Sequence, residues 1–340
     1  MSELLKNIDA RTKLAGTNKL EILLFFLGED QRTGRRETYG INVFKVREVM
    51  RTPQITAAPE MPASVEGMVS LRGALVPVID LAKYTGISSD TPREIMIVTE
   101  YNGHTQGFLV EGVDTILRLD WSKMRVPPEM LMAQTGGLVT AVTELEDNRL
   151  VMMMDVEKVL AETTNIDNEI LFRSVPQVDR PDLTVFYCDD SSVARKQIER
   201  TLEAMGLKGL SAVNGRKMWE EMEKVAAYAK TQGREVSELI NLVLTDIEMP
   251  EMDGYILTKK IKSDPRFANI PVIMHSSLSG MSNQKLGQSV GVDEYVPKFE
   301  PQRLSETLMR RLGVGEDAAM SELPSVFRLP RDGFHATSFS

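Results

Sequence analysis

Five polar residues in the second half of the chain stand where short apolar runs stop. Leu183-Thr-Val-Phe-Tyr-Cys188 ends on Asp189-Asp190, and Leu242 to Leu244 leads through Thr245 to Asp246. Ile270-Pro-Val-Ile-Met274 runs into His275-Ser276, and Glu294-Tyr-Val-Pro leads to Lys298. A strand buried on both faces of a parallel sheet reads as a continuous apolar run. The polar residue at its end therefore lies at the carboxyl edge, where open α/β sheets bind their ligands. Three carboxylates gathered there repel one another and ask for a hard divalent cation with oxygen ligands, for which Mg²⁺ is the natural candidate. In that setting Lys298 balances an incoming phosphoryl group, and Ser276 hydrogen-bonds one of its oxygens. Taken singly, an Asp-Asp pair is a helix cap and a lysine is solvated surface. The combination is what points to a site.

The elements needed to position these residues follow from the same stretch. From Asp182 to Gly313 strand and helix patterns alternate. Ser191-Ser192 caps a helix running to about Met205. Leu207 to Val213 is a second strand, and Asn214-Gly215 turns into a long charged helix from Arg216 that ends before Ser237. Asp253-Gly254 precedes a helix over Tyr255 to Asp264. Another helix of roughly Asn283 to Ser289 follows the fourth strand, and Pro301 to Leu312 forms the last. Five βα units predict a doubly wound, flavodoxin-like parallel sheet with right-handed crossovers.

The first half reads differently. From Leu20 to about Glu162 the pattern is of short strands: Leu20 to Leu27, Tyr39 to Phe44, Ile95 to Thr99, Gln106 to Val110, Leu138 to Thr143 and Leu150 to Met154. Asn102-Gly103 is the strongest short-range hairpin signal. A short helix over Val156 to Glu162 closes the region. Such a pattern reads as all-β, in one or two small barrels. No constellation in it looks catalytic. One segment stands out, Val65-Glu-Gly-Met-Val-Ser-Leu-Arg-Gly73-Ala-Leu-Val-Pro-Val-Ile-Asp80. Gly67 and Gly73 permit backbone geometry closed to other residues, and Pro77 suits an edge or bulge. Arg72 either binds a partner or pairs with Asp80.

In Gly67, Arg72, Gly73, Pro77 and Asp80, and in Tyr39-Gly-Ile-Asn-Val-Phe-Lys-Val-Arg-Glu-Val49, the first half resembles the CheW family of chemotaxis coupling proteins. The resemblance implies a double β-barrel over residues 19–162 whose partners are the histidine kinase CheA and the cytoplasmic tip of chemoreceptors. It puts Arg72, with Gly67 and Gly73, near those contacts. Residues 183–313 resemble a response-regulator receiver domain. That resemblance makes Asp246 the phospho-acceptor, with Ser276 and Lys298 completing the catalytic set. It assigns Mg²⁺ to Asp190, Asp246 and the backbone carbonyl of Glu248, with Asp189 acting mainly through water. It makes Tyr295 the aromatic residue that follows the Ser276 switch inward. The pattern departs from the family at Pro297-Lys298-Phe299, where the usual proline after the lysine is missing, so the cis peptide usual there and the phosphoryl lifetime are open. Together the two resemblances imply a signalling adaptor, regulated by phosphorylation, that catalyses its own phosphoryl transfer without being an enzyme in the usual sense. The alternative is a constitutive adaptor whose receiver is not phosphorylated.

Whole-chain properties bound this reading. The 340 residues predict about two domains, here a coupling domain, a polar linker over 163–182 with two prolines, and the receiver. Residues 314–340 lack periodicity and are expected to form a disordered tail. A net charge of -9 without a long basic run argues against nucleic acid, as does the lack of a helix-turn-helix after the receiver. The single Cys188 excludes an intramolecular disulfide, and three scattered histidines make a zinc site improbable. No apolar run reaches the roughly 20 residues that span a bilayer, so a cytoplasmic protein, peripherally associated with receptor arrays, is expected. A phosphatase with an aspartyl nucleophile would need a second aspartate at position 248, which is Glu.

Overall fold

The computed structural model describes residues 19–101, 104–164, 172–178, 180–276 and 289–314. The Asn102-Gly103 turn, most of the helix expected over Asn283 to Ser289, Ser277 and nearly all of the tail lie outside them.

The first half forms ten strands in two five-stranded sheets. One has the order β8-β1-β2-β10-β9, from Gly112–Asp120, Lys19–Phe26, Thr38–Asn42, Leu150–Met154 and Val139–Glu144. The other has the order β3-β6-β7-β5-β4, from Val46–Arg51, Ile95–Tyr101, His104–Val110, Ala74–Asp80 and Val65–Leu71. Among the described residues three α-helices accompany them: α1 (Leu81–Thr85), α2 (Glu129–Gln134) and α3 (Val156–Thr164). The β6–β7 pair is antiparallel with Tyr101 opposite His104, the register a two-residue turn requires.

Alternation along β1 explains the architecture. Leu20, Ile22 and Leu24 point into a core with Trp121, Val151 and Met153, within the first sheet. Leu23, Phe25 and Leu27 point the other way, into a core shared with Ile97, Phe108 and Val110 of the second sheet and Val156, Val159 and Leu160 of α3. A strand flanked by two cores is apolar on both faces, so the sequence there shows an unbroken run. The second sheet likewise holds a core of its own, around Val76, Val78, Met96 and Val98.

The second half is a parallel sheet, β12-β11-β13-β14-β15, from Lys208–Ala212, Thr184–Cys188, Leu242–Thr245, Val272–Ser276 and Glu294–Pro297. Helices α4 (Ser192–Met205) and α7 (Pro301–Leu312) cover one face, while α5 (Gly215–Gln232) and α6 (Gly254–Ser263) cover the other. Val185, Tyr187, Leu242 and Leu244 face the first pair, and Phe186, Cys188 and Val243 the second. The caps are local: Ser191 accepts from Ala194 N–H and Asn214 from Lys217 N–H. Before this sheet, Val175 and Val178 pack on its core, and Arg200 lies over the Phe172 ring at 4.3 Å.

Three expectations need correction. Asp80 does not pair with Arg72: its carboxylate caps α1, accepting from Ala82 and Lys83 N–H, and pairs with Arg93 at 3.4 Å. Arg72 instead reaches Glu48 at 3.0 Å from an exposed hairpin tip, with φ of 50°. Nor does Gly67 offer a surface. It is buried, and a Cβ there would stand 2.1 Å from the Thr56 carbonyl oxygen, so its role is close packing of backbone. Pro77 lies inside β5, which is not an edge strand; pairing with β7 begins only at Val78, just past the missing N–H.

Candidate functional site

The ends of β11, β13, β14 and β15 converge as the apolar runs require. Asp246 is the first residue past β13; its N–H donates to the Cys188 carbonyl at 2.9 Å, and its Oδ1 accepts from Ile247 N–H at 2.7 Å. The loop then folds back so tightly that a Cβ on Gly254, the first residue of α6, would lie 2.0 Å from the Asp246 carbonyl oxygen. Asp253 caps that helix through Ile256 N–H at 2.7 Å. The Asp-Gly pair thus starts a helix against the carboxylate's own backbone.

Asp189 Oδ1 accepts from Ser191 N–H at 2.9 Å, and the Arg195 guanidinium donates to the carbonyls of Asp189 and Asp190 at 2.6 and 3.0 Å. One carboxylate oxygen each from Asp189, Asp190 and Asp246 lies within 4.8 Å of the others. Lys298 is 1% exposed, and its Nζ lies 2.8 Å from Asp189 Oδ2 and 3.1 Å from Asp246 Oδ2. The lysine therefore reaches the acidic cluster, without a cis peptide at any described residue; Phe299 takes a φ of 62° instead. Ser276, 6% exposed, ends β14, and its carbonyl accepts from Lys298 N–H at 3.3 Å. Tyr295 is half-buried against Ile247, Tyr255 and Met274, its hydroxyl bonded to that of Tyr255.

Burial raises the Asp246 carboxyl well above the usual carboxylate range, against the pull of Lys298, and Asp189 and Asp190 add repulsion. Asp190 is pushed up to about 7, by burial first and then by Asp189. These carboxylates are short of positive charge. Such a set fits a divalent cation held by oxygens, the chemistry expected of it.

Sequence reasoning missed the other half of the site, which the first domain supplies. Glu157, in the first turn of α3 and 1% exposed, lies 3.3 Å from Lys298 Nζ and 3.0 Å from Lys45 Nζ. Asp155 bonds the Ser191 side chain, and Asn42 that of Glu248. Glu251 N–H donates to the Trp121 carbonyl at 3.2 Å. A small cavity between the domains is lined by Asn42, Lys45, Trp121, Asp155, Asp190 and Glu248, among others. Nothing local announces Glu157: an acid in a first helical turn reads as a complement to the helix dipole.

His275, beside Ser276, is 3% exposed, and its Nδ1 has no hydrogen-bond partner among the described residues. Burial, with Lys298 adding, lowers it to about 3. The unfolded chain binds the proton near pH 6.5, so the neutral ring's contribution is whole above that pH and is lost as pH falls towards 3. The loss is on the order of 4 kcal/mol. Urea unfolding at pH 7.5 and 5 checks it: His275→Gln should lose less stability across that interval than wild type.

The comparisons with known proteins follow this division. A CheW-like domain profile matches residues 21–164, and a response-regulator receiver profile matches residues 185–309. The chain is 31% identical over 280 residues to the chemotaxis protein CheV3 of Helicobacter pylori, covering 81% of this chain and 88% of that one. CheV1 of the same organism is 26% identical over 331 residues, covering 92% and 99%. CheV2 is 25% identical over 329 residues, covering 91% and 100%. Two domains in this order, matched over most of the chain by such relatives, identify the chain as a member of the CheV family of chemotaxis proteins, a CheW-like domain followed by a response-regulator receiver.

Proposed function

We propose that this chain is an adaptor coupling chemoreceptors to the histidine kinase CheA, and that a phosphoryl group on Asp246 tunes the coupling. The observation that carries the reading is the Asp246 carboxylate, 3.1 Å from Lys298 Nζ and clustered with Asp189 and Asp190. Asp246 attacks the phosphorus of a phosphohistidine. The P–N bond breaks, its electron pair returns to the imidazole, and an acyl phosphate remains. Lys298 pairs with one phosphoryl oxygen and Ser276 donates to another. Asp190, Asp246 and the Glu248 carbonyl would hold Mg²⁺, with Asp189 acting through water; the ion supplies charge neutralisation for a loose transition state. Position and charge do the rest, so the domain promotes its own phosphorylation and slow hydrolysis. Tyr295 follows Ser276 as the face around β14 and β15 rearranges.

Incubation with labelled phospho-CheA and Mg²⁺ tests this: wild type takes up label and Asp246→Asn does not. A wild type that stays unlabelled favours the constitutive adaptor, a reading to which the burial of Asp246, 5% exposed, lends support. On the coupling side, the exposed Arg72 at its hairpin tip, with Gly73 beside it, suits a contact to kinase or receptor tip. Arg72→Ala should weaken pull-down of those fragments about tenfold, as loss of one interface arginine does; unchanged binding assigns Arg72 to its Glu48 pair alone. No helix among the described residues is long and apolar enough to cross a membrane, which suits an adaptor held at cytoplasmic receptor arrays by its partners.

A further inference from the structure

The ammonium of Lys298 has three hydrogens to give, and three carboxylates surround it: Asp189 at 2.8 Å, Asp246 at 3.1 Å and Glu157 at 3.3 Å. Two belong to the receiver. The third comes from the coupling domain, where Lys45 holds its other oxygen at 3.0 Å. Glu157 thus brings a negative oxygen to the lysine on which, in the reading above, a phosphoryl oxygen must settle.

We propose that the face of the coupling domain around Glu157 and Lys45 is a docking surface for this chain's own unphosphorylated receiver, with Glu157 standing in for the phosphoryl group. Docking and phosphorylation of Asp246 then exclude one another. The inference rests on Asp246 being the phospho-acceptor. A phosphoryl group adds about -1.5 to -2 charges beside Asp246 and claims the third hydrogen of Lys298. Glu157, 1% exposed, has no water into which to spread its charge. It must leave, and α3 leaves the receiver with it.

Several of the remaining contacts are polar and can be exchanged for water: Glu251 N–H to the Trp121 carbonyl, Asn42 to Glu248, and Asp155 to Ser191. Beside them α3 lies against α4, and Gly137 against Ser192. Interfaces of this kind within a chain permit domain motion. Release uncovers Lys45, Glu157 and the part of Trp121 that lines the cavity between the domains, together with the acidic edge of the receiver. The signal thereby passes from one domain to the other through a single exchanged ion pair.

The test uses the full chain carrying Trp219→Phe, so that Trp121 alone reports. Two quantities are followed: acrylamide quenching of Trp121, and label uptake from phosphoramidate with Mg²⁺. Phosphorylation should raise quenching at least twofold, and Glu157→Gln should raise it without any phosphodonor while speeding uptake about tenfold. If the parent takes up label with quenching unchanged, the exclusion is wrong even should Glu157→Gln fail to fold. Equal uptake and equal quenching in parent and Glu157→Gln overturn the docking role and leave Asp246 as acceptor. Absence of label from both overturns the acceptor reading and the exclusion with it, whereas quenching still reports whether Glu157 holds the domains together.

Discussion

Lys298→Met should unfold at much lower urea than wild type in the absence of Mg²⁺, a loss of about 3–5 kcal/mol. Methionine fills nearly the same volume, so the loss is electrostatic. Removing one partner of a buried ionic cluster leaves the others uncompensated, and here the others are Asp189, Asp246 and Glu157. Burial already raises the Asp189 and Asp246 carboxyls while Lys298 pulls them down. Without the lysine they rise further. A carboxyl whose folded pKa lies above its unfolded value stabilises the fold below the unfolded pKa, and that contribution is lost as pH rises through the folded one. The deficit should therefore be smaller at pH 5 than at pH 7.5. Millimolar Mg²⁺ should restore part of it by supplying the missing charge, while phosphoryl transfer stays at least a hundredfold slower. A variant as stable as wild type at pH 7.5 without Mg²⁺ would show that Lys298 does not hold the cluster together.

The receiver half was legible because its strands are buried on both faces. Leu242 to Leu244 and Val185 to Cys188 are apolar on every residue, so the first charge after each run marks a strand end. The parallel crossover rule then brings those ends to one edge. The Ser191 cap was readable for the same local reason, whereas Asn214 read as a turn and proves also to cap its helix. The coupling half was harder. The unbroken run of β1 shows burial but not that its two faces serve different cores. Asp80 and Arg72 lie eight residues apart on one hairpin, which suggested a pair, yet the helix that follows claims Asp80 as its cap. What the sequence hid altogether was Glu157. It is separated from Lys298 by 141 positions, and its neighbours Asp155 and Lys158 make it look like any charged helix start. Contacts between domains depend on rigid-body placement, which no local pattern encodes.

Asp246→Asn should abolish labelling and yet make the metal-free protein more stable. Labelling falls to background because an amide nitrogen and carbonyl give no acyl phosphate from a phosphohistidine. The stability gain comes first from burial and then from repulsion. Burial holds the Asp246 carboxyl well above its unfolded value against the pull of Lys298, and Asp189, Asp190 and Glu157 add to the rise. At pH 7.5 the unfolded carboxyl is ionised at no cost, whereas the folded one pays for its charge or for the proton that removes it. Asparagine removes that cost, worth about 1–3 kcal/mol. The gain should shrink as pH falls towards 4, close to the unfolded carboxyl's own pKa, where keeping the folded carboxyl protonated costs little. It should also shrink or reverse in Mg²⁺, since the variant has lost one of three carboxylate donors and binds the ion more weakly. Urea unfolding of both proteins at pH 7.5 and 4.5, with and without Mg²⁺, separates these effects. A variant less stable than wild type without Mg²⁺ would mean that the 3.1 Å pair with Lys298 outweighs the crowding of carboxylates around it. In the function proposed for Asp246, the charge that makes it costly to fold is the charge a nucleophile needs, so stability lost in the metal-free receiver is the mark expected if the site serves phosphoryl transfer.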